Sequence, residues 1–269
     1  ISTKGDQILD KSLPSIGGKG LFTAELEAAM LEGHVDCAVH SLKDLPTENP
    51  DGLIVGAIPV RAPVGDVLVS RGDIALEDLP HGATIGTSSL RRASQLKAHR
   101  PDLSIIDIRG NVPTRIDKAT DPEGPYDATI LAHAGVSRLE LMNRTSGVIP
   151  LDVMLPAPGQ GAIGVQCRDE DKSRTLLAPL THEPTKVAVD AERVFLSALG
   201  GGCAVPVAAL GTVEGDTLHL TGRVASPDGT QVITVEGNAP IGDGEALGMS
   251  LAKQAIEQGA STVLAAVRG

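Results

Sequence analysis

Ile85-Gly86-Thr87-Ser88-Ser89-Leu90-Arg91-Arg92 and, further on, Leu103-Ser104-Ile105-Ile106-Asp107-Ile108-Arg109-Gly110-Asn111-Val112-Pro113-Thr114-Arg115 repeat one pattern: an apolar run, a turn, then a helix start. Extended outward, the pattern predicts strands near 66–70, 83–87, 103–108 and 127–132. Helices are predicted over 88–99 and 112–119, the second with Pro113 in its first turn. Strands alternating with helices argue an α/β fold built on a mostly parallel sheet with crossover helices. The arginines stand where apolar runs give way to turns or helix starts, which is where an open α/β sheet gathers its ligand contacts. Between Ile85 and Lys118 there are seven Lys/Arg against three Asp, in a chain of net charge −11. Arginine forks suit carboxylates and phosphates, so a small ligand with several negative charges is expected. A solvated basic face is the plainer alternative.

Residues 16–33 read as a glycine loop, Gly17-Gly18-Lys19-Gly20, feeding a helix through Phe22, Leu26, Ala29 and Met30, with Gly33 as the stop. Val35 to Val39 is a short buried strand running into His40-Ser41-Leu42-Lys43-Asp44, and Leu53 to Ile58 is another. Pro59 and Pro63 bracket one linker, and Leu155-Pro156-Ala157-Pro158-Gly159-Gln160-Gly161 forms a second. A strand over Ala162–Cys167 follows. From about 180 a third unit begins, with Thr185 as cap of a helix whose apolar face is Val187, Ala191, Val194, Phe195 and Ala198. Strands near 206–212, 217–224 and 230–236 come next, the last two joined by the turn Ser226-Pro227-Asp228-Gly229. A helix over 244–258 closes this α+β unit.

The composition narrows the function. A pI near 5.0 and a net charge of −11 argue against a nucleic-acid backbone as partner. One Tyr, two Phe and no Trp leave no stacking platforms for single strands. No run of 18 apolar residues exists, so no membrane span is expected. Cys37, Cys167 and Cys203 lack metal-ligand spacing, and three cysteines cannot all pair; no metal and a reduced, cytoplasmic setting are expected.

Asp44, beside Lys43 and four residues after His40, ends a buried strand. A carboxylate there is either raised in pKa by desolvation or held ionised by the lysine, and either state serves proton transfer; a surface Lys-Asp pair is the alternative. His40 reads as a core or supporting histidine. Lys19 is not a P-loop lysine, because Gly20 follows where Ser or Thr would bind magnesium; a mobile Lys19 could instead close on an anion. Cys37 and Cys167 read as core residues. Cys203 follows three glycines beyond a helix end, where a thiol is accessible for covalent bonding.

Together these segments resemble porphobilinogen deaminase, also called hydroxymethylbilane synthase. The matches are Gly17-Gly18-Lys19-Gly20-Leu21-Phe22, Ala38-Val39-His40-Ser41-Leu42-Lys43-Asp44 and Gly86-Thr87-Ser88-Ser89-Leu90-Arg91-Arg92. Arg109-Gly110-Asn111 with Thr114-Arg115, Leu155-Pro156-Ala157 with Gly159-Gln160-Gly161-Ala162, and Gly202-Cys203 with Pro206 complete the set.

The resemblance implies three α/β domains. Domains 1 and 2 would be like the two lobes of type II periplasmic binding proteins, and domain 3 a small α+β domain with a three-stranded sheet and helices. Domain 1 would be 1–60 plus 156–179, domain 2 residues 61–155 and domain 3 residues 180–269. It further implies a transferase of tetrapyrrole (haem or chlorophyll) biosynthesis that condenses four porphobilinogen molecules head to tail into hydroxymethylbilane, releasing ammonia. The implied cofactor is a dipyrromethane held through a thioether to Cys203.

Arg91, Arg92, Arg109, Arg115 and Arg138 would hold carboxylates, with Lys43, Ser41, Thr87, Ser88, Ser89 and Gly110 adding contacts. Asp44 would face the pyrrole N–H groups, assist ammonia loss and stabilise the azafulvene cation. Lys19 and Phe22 match a mobile loop, and Gln160 sits at a hinge, expected to touch the bound chain. Ser137 stands before Arg138 where many members carry a longer residue. A monomer is expected, cytoplasmic, or plastidic in a plant.

The family opens with a strand, an Arg-x-Ser-x-Leu-Ala segment and a helix, none of which is present before Ile1. On this reading the sequence is N-terminally incomplete, and the fragment as given is expected to be unstable or inactive. A two-lobed, non-catalytic anion receptor remains a rival reading, as does a cysteine-dependent transferase acting through Cys203 without a base.

Overall fold

The structure is a computed structural model describing residues 23–202 and 205–268. The Gly17–Gly20 loop, Phe22 and Cys203 lie outside the described residues. In chain order the elements are α1 (Ala24–Leu31), β1 (Cys37–Ser41), β2 (Leu53–Ala57), β3 (Asp66–Ser70), β4 (Thr84–Gly86), α2 (Leu90–His99), β5 (Ser104–Ile106), α3 (Val112–Thr120), β6 (Ala128–Ala132) and α4 (His133–Arg138). They continue with β7 (Gly147–Ile149), β8 (Ile163–Arg168), α5 (Asp171–Leu177), α6 (Glu183–Ala198), β9 (Val207–Glu214), β10 (Thr217–Ala225), β11 (Val232–Pro240), α7 (Gly244–Glu257) and α8 (Ala260–Arg268).

The strands form three sheets. The first, ordered β1-β8-β2, is antiparallel and is completed by β8, which arrives from far along the chain. The second, ordered β5-β4-β6-β3-β7, is covered on both faces, and so β3 reads Asp-Val-Leu-Val-Ser with every position buried. It is mixed rather than mostly parallel: β4 runs parallel to β5 and β6, whereas β3 runs antiparallel to β6 and β7. The expectation failed because β3 enters straight from a linker and β7 is only three residues long. The third sheet, β11-β10-β9, is an antiparallel meander packed under α6 and α7 around Phe195.

Two further expectations are corrected. Thr185 lies inside α6, and the cap is His182, whose Nδ1 accepts from Thr185 N at 3.3 Å. Cys37 is exposed, while Cys167 is buried as expected. Among the described residues β1 lies at the margin of its sheet, and its alternate positions Cys37, Val39 and Ser41 all face out.

Two linkers cross between the first and second sheets, and they lie against each other. Ala62 N donates to Gly161 O at 3.2 Å. A Cβ on Gly161 would stand 2.6 Å from Ala62 O, and its φ of +85° suits only glycine comfortably.

Candidate active site

Leu42 and Leu45, exposed by 0% and 3%, are buried with Ile58, Ala162 and Val189. Those two anchors form a single 3-10 turn over Leu42–Asp44 and leave Lys43 and Asp44 projecting from it. Asp44 faces solvent and Lys43 is half-buried.

Opposite the turn lies the start of α2. Ser89 caps it, its Oγ accepting from Arg92 N at 3.4 Å, so the first turn carries Arg91 and Arg92. Both are almost fully buried. Burial is tolerated because Asp66, at the head of β3, lies between them. Arg91 Nη1 donates to Asp66 Oδ2 at 2.9 Å, and Arg92 Nη2 and Nε donate to Oδ1 at 2.7 and 3.2 Å. Burial alone would raise the Asp66 pKa; the two guanidinium groups outweigh it and hold the carboxyl far below the usual range. Each arginine has another acceptor: Arg91 Nη1 reaches Leu155 O at 2.7 Å and Arg92 Nη1 reaches Ile130 O at 3.0 Å.

Gln160 wires the turn to this cluster. It is fully enclosed, and its Oε1 accepts from Lys43 Nζ at 3.3 Å and Arg91 Nη2 at 3.4 Å. Its Nε2 donates to Val64 O at 2.8 Å and Asp66 Oδ1 at 3.0 Å. Gln160 thereby holds Lys43 and Arg91 in place beside Asp66. Lys43 has its pKa lowered to about 8, first by burial, with Arg92 and Arg91 adding to that and Asp44 and Asp66 opposing it.

Arg115 and Arg109 extend the positive surface. Arg115 Nε donates to Gly110 O at 2.7 Å. Its pKa is lowered by burial, then by Arg92 and Arg109, while Asp44 pulls the other way. Asp44 thus acts across to the lobe that carries Arg115. Among the hydroxyls, Thr87 Oγ1 accepts from Ser89 N at 3.2 Å, and Ser88 gives its proton to Ile108 O at 3.0 Å. Ser41 is exposed at the start of the turn. Arg138 is tied by Nη2 to Gly161 O at 2.9 Å, on the linker. His40 is half-buried, its pKa lowered chiefly by burial.

Asp66 was not read from the sequence as a site residue, nor were Arg61 and Glu192. Arg61 Nη1 and Nη2 form a fork with Glu192 at 2.6 and 2.9 Å, and Glu192 also accepts from Gly159 N and Gly211 N at 2.7 Å each. A clue existed for both acids: each interrupts an otherwise apolar strand or helix face.

Lys43, Arg91, Arg92, Arg109 and Arg115 stand against the two carboxylates Asp44 and Asp66. That surplus of crowded cations fits a ligand bearing several carboxylates, such as a dipyrromethane.

Comparison with known proteins agrees. Residues 1–175 match the family described as porphobilinogen deaminase, dipyromethane cofactor binding domain, and 186–257 match the porphobilinogen deaminase C-terminal domain. The porphobilinogen deaminases of Pelotomaculum thermopropionicum and Desulforudis audaxviator are each 51% identical over all of this chain and 86% of their own length. That of Brevibacillus brevis is 48% identical over 99% of this chain and 86% of its own. With both halves matched and half of all positions identical, the chain belongs to the porphobilinogen deaminase family.

Proposed function

We propose that Asp44 is the catalytic carboxylate of a hydroxymethylbilane synthase, working on a pyrrole chain whose carboxylates are gripped by Lys43, Arg91, Arg92, Arg109 and Arg115. The enzyme is a transferase that condenses four porphobilinogen molecules head to tail into hydroxymethylbilane, with release of ammonia. Its dipyrromethane cofactor supplies the primer that the product chain extends. We assign the attachment point to Cys203, through a thioether.

The observation that carries this reading is the meeting of Asp44 with the arginine lobe: Asp44 opposes the pKa depression of both Lys43 and Arg115. Solvent-facing beside those cations, the Asp44 side chain is placed to accept from pyrrole N–H groups. When ammonia leaves the aminomethyl carbon of porphobilinogen, positive charge spreads over the ring, and a fixed carboxylate at the N–H stabilises it. Arg109 and Arg115 bind acetate and propionate arms, while Arg91 and Arg92, locked on Asp66, add a fixed positive field behind them that keeps the reacting carbons in register. Thr87, Ser89 and Ser41 retain hydroxyl protons to add to this grip; Gly110 steadies Arg115, its carbonyl accepting from Arg115 Nε. Lys19 and Phe22 are assigned to substrate binding.

The three domains of this reading are 1–60 plus 156–179, 61–155 and 180–269; the placement of one sheet in each supports them. A monomer in the cytoplasm completes it. The named relatives are bacterial, and among the described residues no helix is long and apolar enough to cross a membrane. Sedimentation at working concentration tests the monomer.

Asp44→Asn tests the central role. Turnover should fall by about 10²-fold or more with the thermal midpoint unchanged, since the side chain is exposed. Turnover near that of the parent enzyme would remove Asp44 from the mechanism.

A further inference from the structure

Cys37 opens β1 and Cys167 lies in β8, and the ladder sets them directly opposite each other. The phase of the hydrogen bonds decides what kind of pair they make. Leu42 N donates to Ala162 O at 3.0 Å, so pairs two residues apart from this one are hydrogen-bonded and the intervening pairs are not. Cys37–Cys167 falls in the second class. The other side of β8 agrees. Asp169 N donates to Gly52 O at 2.8 Å, which turns the amide and carbonyl of Cys167 toward Ile54 on β2.

In a non-hydrogen-bonded antiparallel pair the Cα atoms are about 4.5 Å apart and the side chains share a face. Disulfides span Cα separations of roughly 4.4–6.8 Å. The Cys167 sulfur now rests over the bulge at Gly56, 2.7 Å from where a Cβ there would stand. Rotation about its Cα–Cβ bond carries it toward Cys37.

We propose that Cys37 and Cys167 are a redox modification site, closing to a cross-strand disulfide within one chain when a hydroperoxide is present. Cys37 is exposed and Cys167 buried, which assigns the order of events. The Cys37 thiolate attacks the distal oxygen of the hydroperoxide; an S–O bond forms, the O–O bond breaks and an alcohol, or water from hydrogen peroxide, leaves. The Cys167 sulfur then attacks the Cys37 sulfur; an S–S bond forms, the S–O bond breaks and water leaves. The two thiols lose two electrons and two protons, and the peroxide takes them up. Burial raises the pKa of the Cys167 thiol, consistent with its acting second. The bridge would fasten β1, which runs into Lys43 and Asp44, to β8, which follows the second linker, at the end of the strand pair remote from Asp44.

The test is a thiol count on denatured holoenzyme before and after a small excess of hydrogen peroxide. The chain has three cysteines, and the thioether reading spends Cys203, leaving two thiols at the start. Both should vanish together in a product that remains a single chain, and dithiothreitol should restore both. Peptide mapping should join Cys37 to Cys167, and Cys37→Ser should leave Cys167 unoxidised. Over-oxidation of Cys37 alone, a dimer bridged through Cys37, or loss of the Cys167 thiol in Cys37→Ser would overturn the proposal. Three thiols at the start would instead count against the Cys203 thioether, and the joined peptide would still judge the pair.

Discussion

Asp66 carries more of the site than any residue the sequence singled out. One carboxylate with no exposure holds two buried guanidinium groups 25 and 26 positions away in sequence. Its neighbours in Gly65-Asp66-Val67-Leu68-Val69 mark it as an acid in an apolar strand but name neither partner, since both arrive only with the folded chain. Removing one member of a buried charge network costs about 3–5 kcal/mol, so Asp66→Asn should lower the urea midpoint sharply at pH 7. The pH dependence has a definite sign. A folded-state pKa held below the unfolded value gives stability that is complete above the unfolded pKa, near 3.9, and is lost as pH falls through the folded one. Unfolding free energies measured from pH 7 downward should therefore show an acid limb in the parent protein that is flatter in Asp66→Asn; equal slopes would refute this. Lys43 shares that sign, but over an alkaline range and because burial disfavours its charged form. With its pKa lowered from 10.5 to about 8, the folded state sheds a proton first, so stability rises as pH climbs from about 8 to 10.5. In protein freed of cofactor, amine acylation at Lys43 should be half-maximal near pH 8, and bound carboxylates should move that midpoint upward. Unlike Asp66, Lys43 and Asp44 stood out in the sequence as a charged pair directly after a short apolar strand.

At the scale of elements, strong local chemistry was readable and short pieces were not. α2 was recognisable from its apolar spacing after Thr87-Ser88-Ser89, and the turn Ser226–Gly229 from its residue types. Strand β7 and helices α4, α5 and α8 went unread; the first three are three to seven residues long, too short for a period to show. Parallel or antiparallel pairing is likewise a property of the assembled sheet, not of any one strand's residues. Ser89 joins local structure to the site, since its cap fixes the turn bearing Arg91 and Arg92. Ser89→Ala should cost about 1 kcal/mol and raise KM more than it lowers kcat. The hairpin of β10 and β11 makes a second connection. Gly229, at φ +74°, sits so near α2 that an added Cβ would overlap Ala98 N and Lys97 C. Gly82, at φ +78°, has nothing within 4 Å. Gly229→Ala should therefore destabilise by about 1–3 kcal/mol beyond the backbone strain that it shares with Gly82→Ala. Equal urea midpoints for the two variants would show that the hairpin does not press on α2.

Across the whole molecule, Glu192 gathers the three sheets. From α6 it receives Arg61 of the first linker, Gly159 of the second and Gly211 of β9, with no exposure of its own. Arg61→Ala leaves that carboxylate without its cation and should lower stability by about 3–5 kcal/mol, with a loss nearly independent of salt because the pair is enclosed. Unfolding midpoints of both proteins at low and high sodium chloride check this; a difference that disappears in salt would contradict it. The linkers themselves were legible from their prolines and glycines, while the buried tie between them depends on residues far apart in sequence. The same architecture brings Asp44 of one lobe to the arginines of the other, which gives meaning to a tethered pyrrole chain. The most direct measurement of that claim is the intact mass of the denatured protein, followed by its change with porphobilinogen. The protein should weigh more than its 27.6 kDa chain by one two-pyrrole adduct on Cys203, lost in Cys203→Ser, with stepwise pyrrole additions that Asp44→Asn suppresses. An unmodified chain that binds carboxylates reversibly would contradict it.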